Sequence, residues 1–575
     1  MRVALAQIDL TVGDVRGNAR RISDAIVQGA QAGAQVVATP ELGIAGYPPE
    51  DLVLRASFVA AGIDALEQLA RSALEVVAVV GFVEPGEDGL YNAAAICHGG
   101  RVVAVYRKHL LPNYGVFDER RYFESGTDHV LVDTNEGTFG VTVCEDAWEQ
   151  DGPVVAQGQA GAGLIVNINA SPFHKGKLSL REEMLGDLAR RAGAAIAYVN
   201  LVGGQDELVF DGGSLVMAPD GSVLARLPQF EEQFAVIDVP LGTEGGDGSI
   251  AGSLVRRIPL ELSSTVGEAP PPPLAPRPEP AEEIYRALCL ALRDYALKNR
   301  FDKVVLGLSG GIDSSLTAAL AVDALGPDAV LGVAMPSEFS TEHSLADAKQ
   351  LAANLGIEML QVPIGSTLQA YLEVLAETFG AVEPDLAEEN LQARIRGNLL
   401  MFVSNRQGHL VLATGNKSEG ACGYATLYGD MAGGFAPIKD LLKEEVYALS
   451  RYRNTVSPAI PDGVLTKPPS AELRHDQRDE DSLPPYAVLD PILEAYIERD
   501  LGIDDIVAAG HDRDTVEQVI ALVDRAEYKR RQAPTGPKVT TKAFGRDRRL
   551  PITNAWREAP GATPPRKVVG EKGPQ

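Results

Sequence analysis

Ser309-Gly-Gly-Ile-Asp-Ser-Ser315 directly follows the apolar run Lys303-Val-Val-Leu-Gly-Leu-Ser309. A strand that ends in small residues and opens a helix aims unpaired backbone N–H groups and the positive helix end at an anion. Gly310 and Gly311 let the main chain come close, and Ser309, Ser314 and Ser315 add hydroxyl donors. Asp313 could hold a magnesium ion that neutralises phosphate charge. This set suits phosphate chemistry, with an ordinary strand-to-helix turn as the alternative. A kinase-type P-loop is excluded: no Gly-x-x-x-x-Gly-Lys-Ser/Thr occurs, and Gly415-Asn-Lys-Ser418 lacks the Gly before its Lys.

In the first half, three segments each carry one reactive residue: Pro40-Glu-Leu-Gly-Ile-Ala-Gly-Tyr47, Tyr106-Arg-Lys-His-Leu-Leu-Pro-Asn-Tyr114 and Val143-Cys-Glu-Asp-Ala-Trp148. Each follows a strand-like run. Taken singly, a cysteine is commonly a small buried hydrophobe, and a lone Glu or Lys is usually on the surface.

Together the three motifs resemble the nitrilase, or carbon-nitrogen hydrolase, family, which implies Glu41, Lys108 and Cys144 as catalytic residues. The Glu-Asp-x-Trp after Cys144 narrows the likeness to the glutaminase part of glutamine-dependent synthetases. A free thiol has a pKa near 8.5, so Cys144 needs a base, and Glu41 is implied in that role. Lys108, with the backbone N–H after Cys144, is implied as oxyanion stabiliser. The same resemblance implies that Tyr114, Ser171 and Lys177 grip glutamine.

The Ser-Gly-Gly loop resembles that of ATP pyrophosphatases, and the second half, from Pro280 to about Ile552, is similar to NAD synthetases. Further runs carry this likeness: Glu389-Asn-Leu-Gln-Ala-Arg-Ile-Arg-Gly397, Thr414-Gly-Asn-Lys-Ser-Glu419, Pro468-Pro-Ser-Ala-Glu-Leu473, Asp476-Gln-Arg-Asp-Glu-Asp481 and Tyr528-Lys-Arg-Arg-Gln-Ala-Pro534. His475-Asp476 departs from the family pattern, where a Pro and a small residue are expected. The two halves together resemble glutamine-dependent NAD synthetases. ATP and Mg2+ are then implied, with ATP contacts from Gly307, Leu308, Ser309, Gly310, Gly311, Ile312, Asp313, Ser314 and Thr414. Asn390, Glu419 and Lys529 are implied for deamido-NAD, and Asp313 and Glu419 for the metal. The basic cluster Lys529, Arg530, Arg531, Lys538 and Lys542 is expected to face polyanions, or else to be a solvated basic face.

The elements that must position these residues are legible as alternating patterns. Gln35-Val-Val-Ala38, Val76-Val-Ala-Val-Val80, Arg101-Val-Val-Ala-Val105 and Leu164-Ile-Val-Asn-Ile168 read as strands among helices at 18–32 and 180–192. This is an α/β layered domain, for which the resemblance implies a nitrilase-like α-β-β-α sandwich. Later, 303–309, 329–334, 358–363 and 409–414 read as strands separated by helices, a doubly wound, Rossmann-like parallel sheet with its ligand at the strands' carboxyl ends. The expected domains are 1–267 and 281–557, joined by a Pro-rich linker at 268–280, with a disordered tail at 558–575. Residues 420–434 and 466–473 read as loops.

Composition narrows the function classes. A formal charge of −27 over 575 residues disfavours sequence-independent nucleic-acid binding. That weighs against a tRNA-modifying pyrophosphatase. Intact Glu41, Lys108, Cys144 and Asp313 weigh against a degenerate scaffold. Four scattered cysteines form neither a disulfide framework nor a CxxC site, and there is neither a signal-peptide pattern nor an 18-residue apolar run. The expectation is a cytoplasmic enzyme with small-molecule substrates (glutamine, ATP and deamido-NAD), no nucleic-acid or membrane partner, and a homo-oligomeric state, dimer or octamer. Fusion of an ammonia-releasing half to an ammonia-using half further leads us to expect a protected path for that ammonia.

Overall fold

Residues 2–7, Arg-Val-Ala-Leu-Ala-Gln, are buried along their whole length as strand Arg2–Gln7, which explains why they lack alternation. The computed structural model describes residues 1–242, 248–263, 269–380 and 385–556. The expected tail at 558–575 and Glu268 of the expected linker lie outside these residues. The chain divides into two units: Met1–Gln205 with Val209–Pro278, and Asp206–Leu208 with the residues from Glu279 onward.

The first unit contains two large sheets. One runs, in spatial order, Gln233–Asp238, Arg2–Gln7, Val36–Ala38, Val77–Pro85, Leu90–His98 and Arg101–Arg107. The other runs Val223–Arg226, Leu215–Met217, Ala195–Asn200, Leu164–Asn169, Gly137–Val143, His129–Thr134 and Val255–Leu260. Val3, Leu5, Val79 and Ile96 of the first sheet share a core with Val141, Val166 and Ala197 of the second. Helices Val15–Gln31 and Ala56–Ala70 contact the first sheet. On the second sheet's far side, Leu185, Leu188 and Ala189 of helix Lys177–Ala192 pack on Ile165, Ile196 and Tyr198. The layers are α-β-β-α, as expected.

In the second unit four parallel strands lie in the order Glu358–Gln361, Val330–Ala334, Val304–Gly307, Leu410–Leu412. The first strand in sequence thus has the second on one side and the fourth on the other. A crevice forms where strand order reverses in this way. Val305, Leu331, Val333 and Val411 pack against Leu368, Ile395 and Leu400 from helices Gly365–Phe379 and Leu386–Gln407. Helix Ile312–Leu325 contacts Pro280–Lys298 and Lys443–Val456.

The described part of the Pro-rich segment is fastened along its length: Arg226 donates its N–H to Pro273 O at 2.8 Å and accepts from Ala275 N at 2.9 Å, while Arg277 pairs with Glu182. Proline has no N–H, but its carbonyl still accepts. Pro280 then opens a helix at its first position, where the missing donor costs nothing. The presumed loop 420–434 starts inside helix Lys417–Cys422, which ends on Gly423 at φ +70°.

Candidate active sites

Glu41, Lys108 and Cys144 each stand just after a strand, on Val36–Ala38, Arg101–Arg107 and Gly137–Val143. All three side chains are buried. Lys108 Nζ donates to Glu41 Oε1 at 2.7 Å and to both oxygens of Glu119 at 2.8 and 2.9 Å. Glu41 also accepts from Asn92 Nδ2 at 2.7 Å and from Ala170 N at 2.9 Å, so its position is fixed from three sides. The backbone behind it has no slack: a Cβ on Gly81 would come within 2.4 Å of Leu42 N. Tyr47 OH closes the cluster by donating to Glu119 at 2.9 Å.

Cys144 opens the 3-10 turn Cys144–Ala147 with φ +44°, a left-handed geometry that non-glycine residues rarely adopt. Asp146 holds the turn. Its carboxylate accepts from Val143 N at 3.0 Å, Tyr106 OH at 2.7 Å, His109 N at 3.2 Å and Leu110 N at 2.9 Å. One buried side chain thereby ties the cysteine turn to the segment that follows Lys108. Burial pushes the Cys144 thiol well above its ordinary value; Glu41's charge adds to this and Lys108's opposes it. The thiol is therefore neutral at pH 7. Burial likewise pushes Glu119 up to about 7 against the pull of Lys108. Lys108 itself is held well above the ordinary lysine value: burial works against its charge, but Glu119 and Glu41 prevail.

The three residues expected to hold glutamine gather around the same turn. Tyr114, 42% exposed, donates to Glu145 Oε1 at 2.9 Å, beside Cys144. Ser171 is buried, follows Ala170, and donates its N–H to Asn200 Oδ1 at 2.9 Å. Lys177 begins helix Lys177–Ala192, donates to Pro172 O at 2.7 Å and stands 5.4 Å from the Trp148 ring centre. Asn200 is itself held by Gly212 O at 2.9 Å and lies next to the fully buried Arg181–Asp211 pair. Sequence reasoning missed Glu119, Asn92 and Asp146. Asp146 was visible as the Asp of Glu-Asp-x-Trp, and Glu119 directly follows Pro112-Asn-Tyr-Gly-Val-Phe-Asp118.

In the second unit, a cavity of ≈ 310 Å³ opens at the strand ends and is lined by Gly307, Leu308, Ser309, Gly311, Ile312, Asp313, Ser314, Thr414 and Glu419. Gly310 completes the loop at φ +74°, where an added Cβ would lie 2.1 Å from Ser344 O. Ser309 Oγ accepts from Gly311 N at 3.1 Å, and Ser314 and Ser315 donate to Gly311 O at 3.0 and 2.8 Å. Asp313 accepts from Asn416 Nδ2 at 2.8 Å and from Lys443 Nζ at 2.6 Å. Lys443 also donates to Glu419 at 3.1 Å, so one buried ammonium bridges the two carboxylates expected to hold metal. Burial pushes Glu419 up to about 8, with Lys443 opposing and Asp313 adding to the rise. Lys443 is a further site residue that sequence reasoning missed. The loop of residues 468–473 also lines this cavity.

Asn390 and Lys529 are not among the cavity's lining residues. Asn390 accepts from Thr426 Oγ1 at 2.7 Å, and Lys529 Nζ donates to Gly423 O at 2.8 Å and Ala425 O at 2.9 Å. Both brace the 423–426 turn, whose Tyr424 does line the cavity. Apart from Lys529, the members of the basic cluster are engaged by nearby groups of the chain. Arg530 is spent on Ala421 O, Val523 O and Glu527, and Arg531 on Glu527. Lys538 is spent on Asp547 and Thr540 O, and Lys542 on Asp500.

Among the described residues no helix is long and apolar enough to cross a membrane. The carbon-nitrogen hydrolase family model matches residues 2–246, and the NAD synthase model matches 284–533. A curated glutamine-dependent NAD(+) synthetase of Aquifex aeolicus is 47% identical over 97% of this chain and 100% of its own length, and one of Thermotoga maritima is 46% identical over 97% and 99%. Among solved structures, a glutamine-dependent NAD+ synthetase from Acinetobacter baumannii in complex with ADP matches at TM-score 0.74 and 41% identity, covering 97% of this chain and 99% of that one. With both family models in one polypeptide and this identity along nearly its whole length, the chain belongs to the glutamine-dependent NAD(+) synthetases.

Proposed function

We propose that this enzyme hydrolyses glutamine at Cys144 and uses the ammonia to amidate the nicotinate carboxylate of deamido-NAD at the expense of ATP. The observation that carries the reading is Lys108 shared between Glu41 and Glu119 beside a neutral, buried Cys144. In a site built this way Cys144 Sγ attacks the glutamine carboxamide carbon as its proton passes to Glu41. The backbone N–H of Glu145 donates to the oxyanion, an effect of about 3 kcal/mol for one donor, and Lys108, held by Glu41 and Glu119, stabilises it through its positive charge. Glu41 returns the proton to the departing ammonia, leaving a glutamyl thioester, and then activates the water that releases glutamate. Tyr114, Ser171 and Lys177 surround the turn and hold the amino acid portion.

In the synthetase cavity the nicotinate carboxylate attacks the α-phosphorus of ATP, forming an adenylate and releasing pyrophosphate. Ammonia then displaces AMP. Residues 307–314 hold the phosphates, with Thr414 at the neighbouring strand end, while Glu419 serves with Asn390 and Lys529 on the deamido-NAD side. Magnesium is commonly bound by one or two carboxylates plus substrate phosphates. Asp313 and Glu419, drawn together on Lys443, fit that donor set. Among the described residues no cluster of three or more His, Cys, Asp or Glu offers a protein-only cage, in keeping with an ion that also relies on phosphate oxygens. When bound, the ion neutralises phosphate charge.

A homo-oligomer in the cytoplasm is part of the same proposal. Helix Gly365–Phe379 exposes Tyr371, Val374, Leu375 and Phe379 at i, i+3, i+4 and i+8, an apolar stripe of the kind that marks interaction surfaces. All four cysteines are free, which suits a reducing compartment. Light scattering that gave a monomer at micromolar concentration would remove the oligomer.

The deciding assay measures NAD formation with ATP, magnesium and deamido-NAD, from glutamine or from ammonium, in the wild type and in Cys144→Ala. The variant is expected to lose glutamine use and keep ammonium use, with AMP stoichiometric to NAD. Undiminished glutamine use would refute the assignment of Cys144. During glutamine-driven turnover, labelled free ammonium is expected to stay out of NAD.

A further inference from the structure

We propose that Arg396 is a further ATP-binding residue, its guanidinium taking a phosphate oxygen of the nucleotide. This deepens the synthetase reading above and rests on it. Arg396 lies within helix Leu386–Gln407 and lines the cavity together with Ala393, Gly397 and Leu400 of the same helix. Three cationic side chains line that cavity: Lys443, Lys467 and Arg396. Lys443 bridges Asp313 and Glu419, and Lys467 stands 3.8 Å from Asp347. Arg396 forms no ion pair with any carboxylate among the described residues. Its Nε donates to Met335 O at 3.1 Å, which aims the planar fork, while Nη2 reaches Ser337 Oγ only at 3.5 Å, too long for a strong bond.

A half-buried cation with no carboxylate in direct contact is unfavourable until an anion arrives, and Glu472 acts on Arg396 only from beyond ion-pair distance. Burial pushes Arg396 down to about 10, with Glu472 opposing, so the group is still charged at pH 7 and able to receive that anion. A guanidinium presents parallel donors that match phosphate geometry, which a lysine does not. Position selects ATP over the second substrate. Met335 and Ser337 follow strand Val330–Ala334, and Leu308 N bonds Val333 O at 2.9 Å, so Arg396 flanks the start of the 309–314 loop. Asn390, assigned to deamido-NAD, sits on the same helix but outside the cavity lining.

The test uses the full chain and ammonium-driven NAD formation, with KM measured separately for ATP and deamido-NAD. Arg396→Gln is expected to raise the KM for ATP by about tenfold or more while the KM for deamido-NAD stays within about twofold. Arg396→Lys keeps the charge but not the fork, and is expected to fall between wild type and Arg396→Gln. A merely structural role would move both constants, or kcat and melting temperature alone. An unchanged KM for ATP, or an equal rise for deamido-NAD, would overturn the assignment. Should Arg396→Gln fail to fold, Arg396→Lys alone decides on the same criterion. If the wild type formed no NAD, the broader reading would fail, while calorimetric titration with ATP would still read the effect of Arg396.

Discussion

Lys108 donates to both carboxylate oxygens of Glu119, at 2.8 and 2.9 Å, and spends its remaining hydrogen bond on Glu41 at 2.7 Å. Glu119 thus holds the lysine charge in place while leaving Glu41 a single bond to it. An ammonium presents three donors, and all three are used, so the lysine has no freedom to drift. Removing one carboxylate from a buried cluster shifts every remaining charge in it.

Glu119→Gln therefore lowers glutamine-driven NAD formation by about a hundredfold, in the range associated with misplaced catalytic donors. Ammonium-driven formation stays at the wild-type rate, because Glu119 belongs to the other unit. Equal losses from both nitrogen sources would contradict this role.

The same carboxyl gives a pH signature in stability. Burial raises Glu119 in the folded protein to about 7 from an ordinary value of 4.5, so between those values the folded state keeps a proton that the unfolded state has released. Its contribution to stability is then fully present below the unfolded value and declines as pH rises toward 7. Glu119→Gln removes this limb. Melting temperatures recorded from pH 5 to 8 should fall less steeply for the variant than for wild type, whatever their absolute difference.

Cys144 should behave as a thiol that is poorly ionised in the resting enzyme. Iodoacetamide labelling of Cys144 is expected to speed up roughly tenfold per pH unit through pH 8, without the low-pH plateau of a preformed thiolate. Because Glu41's charge is one cause of the raised thiol, Glu41→Gln should label faster at pH 7 while losing glutamine hydrolysis. Slower labelling of that variant would mean that Glu41 acts on the resting thiol as a base more than as a charge.

What the sequence made legible follows from how local each signal is. Glu41, Lys108 and Cys144 were found because three motifs, in order at the ends of strand-like runs, together resemble the nitrilase family, and the Ser-Gly-Gly loop because strand, turn and helix start are contiguous. Glu119 sits in a short 3-10 turn, Glu119–Arg121, with no periodicity to flag it, and meets Lys108 only in the fold. Lys443 closes the run Leu441-Leu-Lys443, which reads as an ordinary helix start, and its two acidic partners lie far off in the sequence at 313 and 419. Arg530 and Lys538 misled for the converse reason. Their charge is visible in sequence, but not the fact that Glu527 and Asp547 have already claimed it.

The phosphate loop offers a comparison between adjacent glycines. At Gly310 the backbone is left-handed at φ +74°, which costs an L-residue roughly 1–2 kcal/mol, and the new Cβ would lie 2.1 Å from the main-chain oxygen of Ser344. A backbone carbonyl cannot rotate aside as a side chain can, so Gly310→Ala must move the loop itself. At Gly311 φ is −91° and the nearest atom to a new Cβ is Ser309 Oγ at 3.2 Å, a hydroxyl that can turn. Gly310→Ala is therefore expected to cut NAD formation from either nitrogen source by about a hundredfold or more, since misplacement by ~1 Å is costly. Gly311→Ala should cost only a few-fold, about 1 kcal/mol or less. Steady-state rates with ammonium as the donor, at saturating and limiting ATP, separate the two; equal effects would mean that the left-handed turn does not set the loop's grip on phosphate.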